Sequence, residues 1–354
     1  MRIGGVPNSV ISRFKVGGDS PRRWKARRAG SSAVRLRNLA PLLVFIAALL
    51  ISGCGASEEA RQVSPEVAER RAARGEKTLT LLYPDWSSEI ASAHLLQAVL
   101  QERLGYRVDL IPVSVEEMWS RVAAGEADLL AGAWLPTTHR GYFEEYGEKL
   151  IDLGPHLTGA RIGLAVPTVM PGRQTGDDGR QGRRLVTIET IPELADRAEE
   201  FRGRIVGIES GSGVVTQAKE ALDAYGLTGT YYVMEGDEEE MLSRLARATH
   251  RGEWIVFTGW RPHYVFELYN IRFLEDPRGV FGGEESVHTM VRSGFEESYP
   301  DAYRALSRIA YEPEQLERLM LWIEEDEESD PYLQALRWLE AYSELVDAWV
   351  EGIE

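Results

Sequence analysis

The chain has 354 residues, 44 % of them apolar and 27 % charged, with a single cysteine. Those proportions exclude a wholly disordered chain, and one cysteine excludes an internal disulfide framework or a cysteine-cluster metal site. Residues 1–54 carry ten Lys/Arg and one acid, Asp19, whereas after Cys54 thirty basic residues face fifty-five acidic ones, a formal −25. A body that acidic repels phosphate backbones, so no nucleic-acid partner is expected.

In chain order, a basic stretch ending at Arg37 leads into an apolar run, residues 39–50, and then Ile51-Ser-Gly-Cys54. A charged start, an apolar centre and small residues before a cut mark a secretory signal. The run is short for a membrane span, which needs about 20 residues. The Ile-Ser-Gly-Cys step resembles the lipobox of bacterial lipoproteins, which implies lipidation at Cys54. An uncleaved single-span anchor is the alternative, and either places the body outside the cytoplasm. Residues 1–53 are read as the signal peptide. Residues 54–77, small, polar and charged, are read as a flexible tether.

Apolar runs predict strands at 78–83, 107–111, 128–132, 160–166, 204–208, 229–234, 254–258 and 271–275. Ser114-Val-Glu-Glu117 and Thr190-Ile-Pro-Glu193 have capping-box spacing between them. Strands alternating with helices predict an α/β fold with mostly parallel sheets. A repeat is visible: Glu117-Met-Trp-Ser-Arg121, a strand and Trp134-Leu-Pro-Thr-Thr-His139 match Glu240-Met-Leu-Ser-Arg244, a strand and Trp260-Arg-Pro-His263. It predicts two similar lobes, 78–166 plus 288–354 and 167–287, with a ligand cleft at the carboxyl ends of the strands. Residues 168–186 read as a surface loop. Residues 297–352 read as helical, with Trp322, Trp338 and Trp349 on buried faces.

Trp86, Trp134 and Trp260 each fall just past a predicted strand, where such a fold places its cleft, while Trp119 and Trp254 read as packing residues. A quaternary ammonium has no N–H to donate. Indole faces offer it a negative quadrupole and dry contact, about 2 kcal/mol for each desolvated ring. Stacking on sugars or nucleobases is the competing use. His139 lies five residues after Trp134, and Glu209-Ser-Gly-Ser-Gly213-Val214 precedes a predicted helix at 214–225. Amides at a helix start attract anions, so a carboxylate held by His139 and the amides of Gly213 and Val214 fits a zwitterion.

Trp86-Ser-Ser-Glu-Ile-Ala-Ser92, Ala133-Trp-Leu-Pro-Thr-Thr-His139, Gly207-Ile-Glu-Ser-Gly-Ser-Gly213, Thr258-Gly-Trp-Arg-Pro-His263, Leu274-Glu-Asp-Pro-Arg-Gly279 and Val287-His-Thr-Met-Val-Arg-Ser-Gly-Phe295 resemble the glycine betaine substrate-binding proteins of ABC importers. The resemblance covers about 78–350. It implies a type II periplasmic-binding fold with two hinge crossovers, and a trimethylammonium cage of Trp86, Trp134 and Trp260. It also implies carboxylate contacts from His139, Gly213 and Val214, no cofactor and no metal. The implied partners are glycine betaine, an ABC permease with its ATPase, and the membrane through the lipid anchor. Ser87 stands where the family commonly has an acid. Arg261 adjoins the cage, and a cation aimed inward would oppose the ligand, so it is expected to point away.

Against a hydrolase, no GxSxG elbow or HExxH motif occurs, and Asp237-Glu-Glu-Glu240 and Glu324-Glu-Asp-Glu-Glu328 read as solvated faces. The sequence therefore predicts a receptor and not an enzyme. Proline betaine, carnitine or choline is the alternative ligand, although choline would leave the carboxylate contacts idle.

Overall fold

The computed structural model describes residues 77–168, 186–326 and 330–353. Cys54, the predicted signal peptide, nearly all of the tether and most of the 168–186 loop lie outside the described residues.

The strands are β1 (Thr78–Tyr83), β2 (Arg107–Pro112), β3 (Leu129–Leu135), β4 (Leu150–Pro167), β5 (Arg204–Val206), β6 (Tyr232–Met234), β7 (Phe257–Arg261), β8 (Ile271–Phe273) and β9 (Glu285–Arg292). Their order is β2-β1-β3-β9-β4-β7-β5-β6, with β8 beside β4. In the first half β1 pairs in parallel with β2 and β3, and β9 closes on β3 antiparallel. The second half repeats this: β5 pairs in parallel with β6 and β7, and β4 closes on β7 antiparallel. Each closing strand arrives from the opposite half. β4 changes partner from β9 to β7 between Ala160 and Arg161, so this strand is itself one crossover and the segment entering β9 is the other.

The central strands are buried on both faces, which explains their near-continuous apolar sequence. Leu79, Leu81 and Leu82 are buried on β1, and all seven residues of β3 are buried. The helices that matter for the site are α1 (Ser87–Ala98), α2 (Val115–Ala123), α3 (Arg140–Tyr146), α4 (Gly213–Ala224) and α5 (Glu238–Arg251). α2 starts on the predicted capping box, with Ser114 and Glu117 exchanging both bonds. Met118 of α2 and Met241 of α5 are both buried, and the strand after each helix ends in Trp-x-Pro with a cis proline bond, Leu135–Pro136 and Arg261–Pro262. The C-terminal helices α6 (Pro313–Glu325), α7 (Pro331–Ala341) and α8 (Ser343–Val350) include the packing tryptophans: Trp338 stacks on Trp349 at 6.1 Å. Trp322 is half-buried under the Arg337 guanidinium.

Three features differ from the sequence expectation. β3 and β7 run on through Trp134 and Trp260, so these residues lie within strands where they were expected to follow them. The glycines before these tryptophans serve close approach: a methyl on Gly132 would lie 2.6 Å from Glu89 Oε2, and one on Gly259 would lie 3.0 Å from the Ala165 Cβ. The strand predicted at 160–166 begins ten residues earlier, at Leu150, because Gly154 and Gly159 take positive φ and let β4 shift register while it continues. The third feature is β9, whose residues carried no strand prediction. Ser286 and His288 project together from β9, and Ser286 Oγ, His288 and Asp152 of β4 form a chain with links of 2.9 Å. Ser286 pairs with Leu135 of β3, so this chain ties three strands together beside the first crossover.

Candidate ligand-binding site

Three segments meet where the halves face each other. Trp86 precedes α1, and Trp134 and Trp260 are the penultimate residues of β3 and β7. With Thr138, Ile162, Ile208, Ser212, Gly213 and Val214 they line one cavity holding about 290 Å³ of empty space, solvent at its mouth included. Trp86 and Trp260, from opposite halves, have ring centroids 6.4 Å apart at 46°. Among the described residues no cationic side chain lines the cavity. Arg261 turns away as expected: its guanidinium makes two bonds to buried Glu317, at 3.0 and 3.1 Å, and lies over Phe266.

Each cage indole is held through its N–H. Trp134 Nε1 donates to Glu89 Oε1 at 2.9 Å, Trp260 Nε1 to Ser88 Oγ at 3.2 Å and Trp86 Nε1 to Glu209 Oε1 at 2.5 Å. These bonds fix ring orientation and leave the apolar faces for contact. Two of them span the halves, Trp86 to Glu209 and Trp260 to Ser88. Ser87 adds a third tie, its amide and hydroxyl donating to the carboxylate of Glu238 on α5. Glu238 also lies 3.0 Å from His263 Nε2. Tyr142 of α3 donates to the Gly211 carbonyl at 3.4 Å. The halves are therefore closed on each other.

The electrostatics are dominated by buried carboxyls. Burial pushes Glu89 up to about 7 against the pull of its Trp134 and Ser88 side-chain neighbours. Burial also raises Glu209. Burial acts on Glu238 in the same sense, but His263 and Ser87 outweigh it and hold that group below its ordinary value. Glu238 was expected on a solvated acidic face. It is instead only 8 % exposed, because the helix N-cap at Asp237 turns it toward Ser87 and His263.

At the other end of the cavity α4 begins at Gly213 after Ser212, whose side chain caps nothing and donates instead to the Glu209 carbonyl at 2.9 Å. Gly213 and Val214 line the cavity with Thr138, whose amide, like that of Thr137, donates to buried Glu285. His139 is fully buried and lies behind the lining, next to it in sequence. Its Nδ1 accepts the Trp134 amide at 3.2 Å, which puts the neutral ring's proton on Nε2, and that atom has no partner. Burial pushes the ring down to about 3, so it is a neutral donor. The structure thus brings Trp86, Trp134, Trp260, Gly213 and Val214 to one cavity, with His139 adjacent. Glu89, Glu209, Glu238 and Glu285 take parts that the sequence did not reveal, although Glu89 and Glu209 stand inside the quoted motifs. Among the described residues no metal-ligand cluster occurs, and no helix is long and apolar enough to cross a membrane.

Comparison with known proteins places this geometry. Residues 77–341 match the family described as the substrate binding domain of ABC-type glycine betaine transport systems, OpuAC. The glycine betaine/carnitine transport binding protein GbuC of Listeria monocytogenes is 32 % identical over 169 residues, 48 % of this chain. That match spans just over half, 56 %, of the relative's length. Lactococcal OpuAC, solved closed with glycine betaine, superposes with a TM-score of 0.69 at 30 % identity, covering 78 % of this chain and all of that one. ProX of Borrelia burgdorferi, described as a glycine/betaine/L-proline-binding protein, gives 0.70 at 31 %, covering 78 % and 97 %. The fold is the type II periplasmic-binding fold, and the family is one of transport receptors rather than enzymes. The chain belongs to the family of glycine betaine substrate-binding domains of ABC importers.

Proposed function

We propose that this protein is an extracytoplasmic receptor, lipid-anchored at Cys54, that captures glycine betaine and delivers it to an ABC permease for osmoprotectant uptake. Trp86, Trp134 and Trp260 hold the trimethylammonium group. His139 and the amides of Gly213 and Val214 hold the carboxylate. The two lobes close over the ligand, and no bond is made or broken in it.

The observation that carries this reading is the convergence of three N–H-tethered indoles and the amino end of α4 on one cavity, with no cationic side chain among the described residues that line it. Quaternary nitrogen, which offers no hydrogen bond, suits the indole faces. A carboxylate suits the helix start and a neutral imidazole donor. His139 is not itself a lining residue, but it adjoins Thr138, which is. A second reading is another quaternary amine such as proline betaine, carnitine or choline; of these, the buried acids around the cage favour choline, the one with net positive charge.

Titration calorimetry decides between them. Affinity is expected to fall steeply from glycine betaine through dimethylglycine to glycine, because each exposed N–H enters a cage without acceptors. His139→Ala is expected to weaken glycine betaine more than choline. A flat methylation series would overturn the cage, and equal loss for both ligands would make His139 structural.

A further inference from the structure

Two of the three cage indoles are tethered by carboxylates where a neutral acceptor would serve equally for orientation, as Ser88 does for Trp260. Glu89 is 2 % exposed and receives the Trp134 N–H through Oε1. Glu209 receives the Trp86 N–H from across the cleft. Among the described residues no arginine or lysine side chain is bonded to either carboxyl, and a third buried acid, Glu238, is occupied by Ser87 and His263. Burying one carboxyl fully and another halfway without cationic partners is unfavourable, and polar struts of the same shape would avoid that penalty. Their charge gains a use only when a cation enters the cage. A carboxylate in line with an indole N–H also deepens the negative potential of the ring face that the cation meets.

We propose that Glu89 and Glu209 are the charge-selecting residues of the cage, holding Trp134 and Trp86 edge-on and setting a negative field that favours a quaternary nitrogen over an uncharged group of the same shape. This rests on the quaternary-amine reading above. It assigns to the carboxyls behind the rings a discrimination that the ring faces alone provide only weakly, because a tert-butyl group fills the same space.

The test compares each cation with its carbon isostere. Glu209→Gln and Glu89→Gln keep an amide oxygen able to accept the indole N–H and remove the charge. Calorimetry at pH 8, where Glu89 is ionised, would measure glycine betaine against tert-butylacetate and choline against its tert-butyl analogue. Each substitution is expected to weaken the cation about fiftyfold, the size of one charge felt across roughly an indole's width, about 7 Å, at an effective dielectric near 20. The isosteres should be unchanged or tightened. Equal loss for cation and isostere, or no loss for either, would overturn the proposal and leave the carboxyls as struts. Glu209 is only half-buried and carries the test alone if Glu89→Gln does not fold. If the unsubstituted protein binds no quaternary amine, the underlying reading has failed, and that failure is visible before any variant is made.

Discussion

Gly213→Ala separates closure from ligand chemistry in a single methyl group. Gly213 is the first residue of α4 and its φ is not positive, so alanine fits the backbone. The obstacle lies across the cleft, where the new Cβ would stand 2.5 Å from the Thr138 carbonyl oxygen. That carbonyl has little room to retreat, because the amides of Thr137 and Thr138 are pinned to buried Glu285. Restoring an ordinary 3.4 Å contact requires the lobes to part by about 0.9 Å at this point. The amide that would bind the ligand carboxylate is retained, so any loss reports closure. Admitting water beside Trp260 reduces its contact from a desolvated cation–π value toward an exposed one, about 1.5 kcal/mol, or roughly tenfold in affinity. Ligand-free stability should rise by up to about 1 kcal/mol, as for glycine-to-alanine changes at compatible positions. Calorimetry on the variant, with thermal melts with and without glycine betaine, measures both. Gly283→Ala is the control, since a methyl there meets nothing within 4 Å. Wild-type affinity in Gly213→Ala would refute the argument that these lobes meet at Thr138 in the ligand-bound state.

Two further outcomes are expected. Trp260→Ala should weaken glycine betaine by about 2 kcal/mol, and unchanged calorimetric affinity would remove that ring from the cage. Glu89 has its pKa raised from 4.5 to about 7 by burial, so between those values the folded state binds more protons than the unfolded chain. Stability from this group is therefore greatest below pH 4.5 and is lost as pH rises toward 7, by up to about 3 kcal/mol. Glu89→Gln should flatten that slope in denaturant titrations at pH 5 and 8. A bound cation favours the ionised carboxyl, so binding near pH 6 should release protons, read as a buffer-dependent enthalpy.

Much of this arrangement was legible because its physics is local. Parallel strands buried on both faces write themselves as apolar runs, and β1 appears at its predicted residues. The repeat was readable since Trp-x-Pro ends a strand in both halves. What stayed hidden depends on partners distant in sequence. β9 alternates, but its inward positions include Glu285 and Thr289, so no apolar stripe marks it. Those polar groups are buried for a reason visible only in three dimensions, Glu285 because it receives two amides from the turn after β3.

The acids make the same point for the site. Asp237-Glu-Glu-Glu240 is indistinguishable by composition from a solvated run, yet Glu238 is buried and tied across the cleft to Ser87, 151 residues away. Glu89 and Glu209 were present in motifs that pointed to tryptophan and to backbone amides, and nothing in either motif says that the carboxyl accepts an indole N–H. Sequence reasoning finds the surfaces a ligand would touch because aromatic and glycine residues at strand ends have few other uses. It misses the layer behind them, where a charged residue earns its burial only through the neighbour it orients. In this protein that layer joins the two halves: Glu209 and Glu238 belong to one, and the Trp86 and Ser87 they hold belong to the other. The groups that orient the cage are thus also groups that hold the cleft shut, so Glu209→Ala, which removes the acceptor as well as the charge, should alter closure and selectivity together, whereas Glu209→Gln, which keeps the acceptor, or a substitution at Glu89, which holds Trp134 within its own half, should alter selectivity alone.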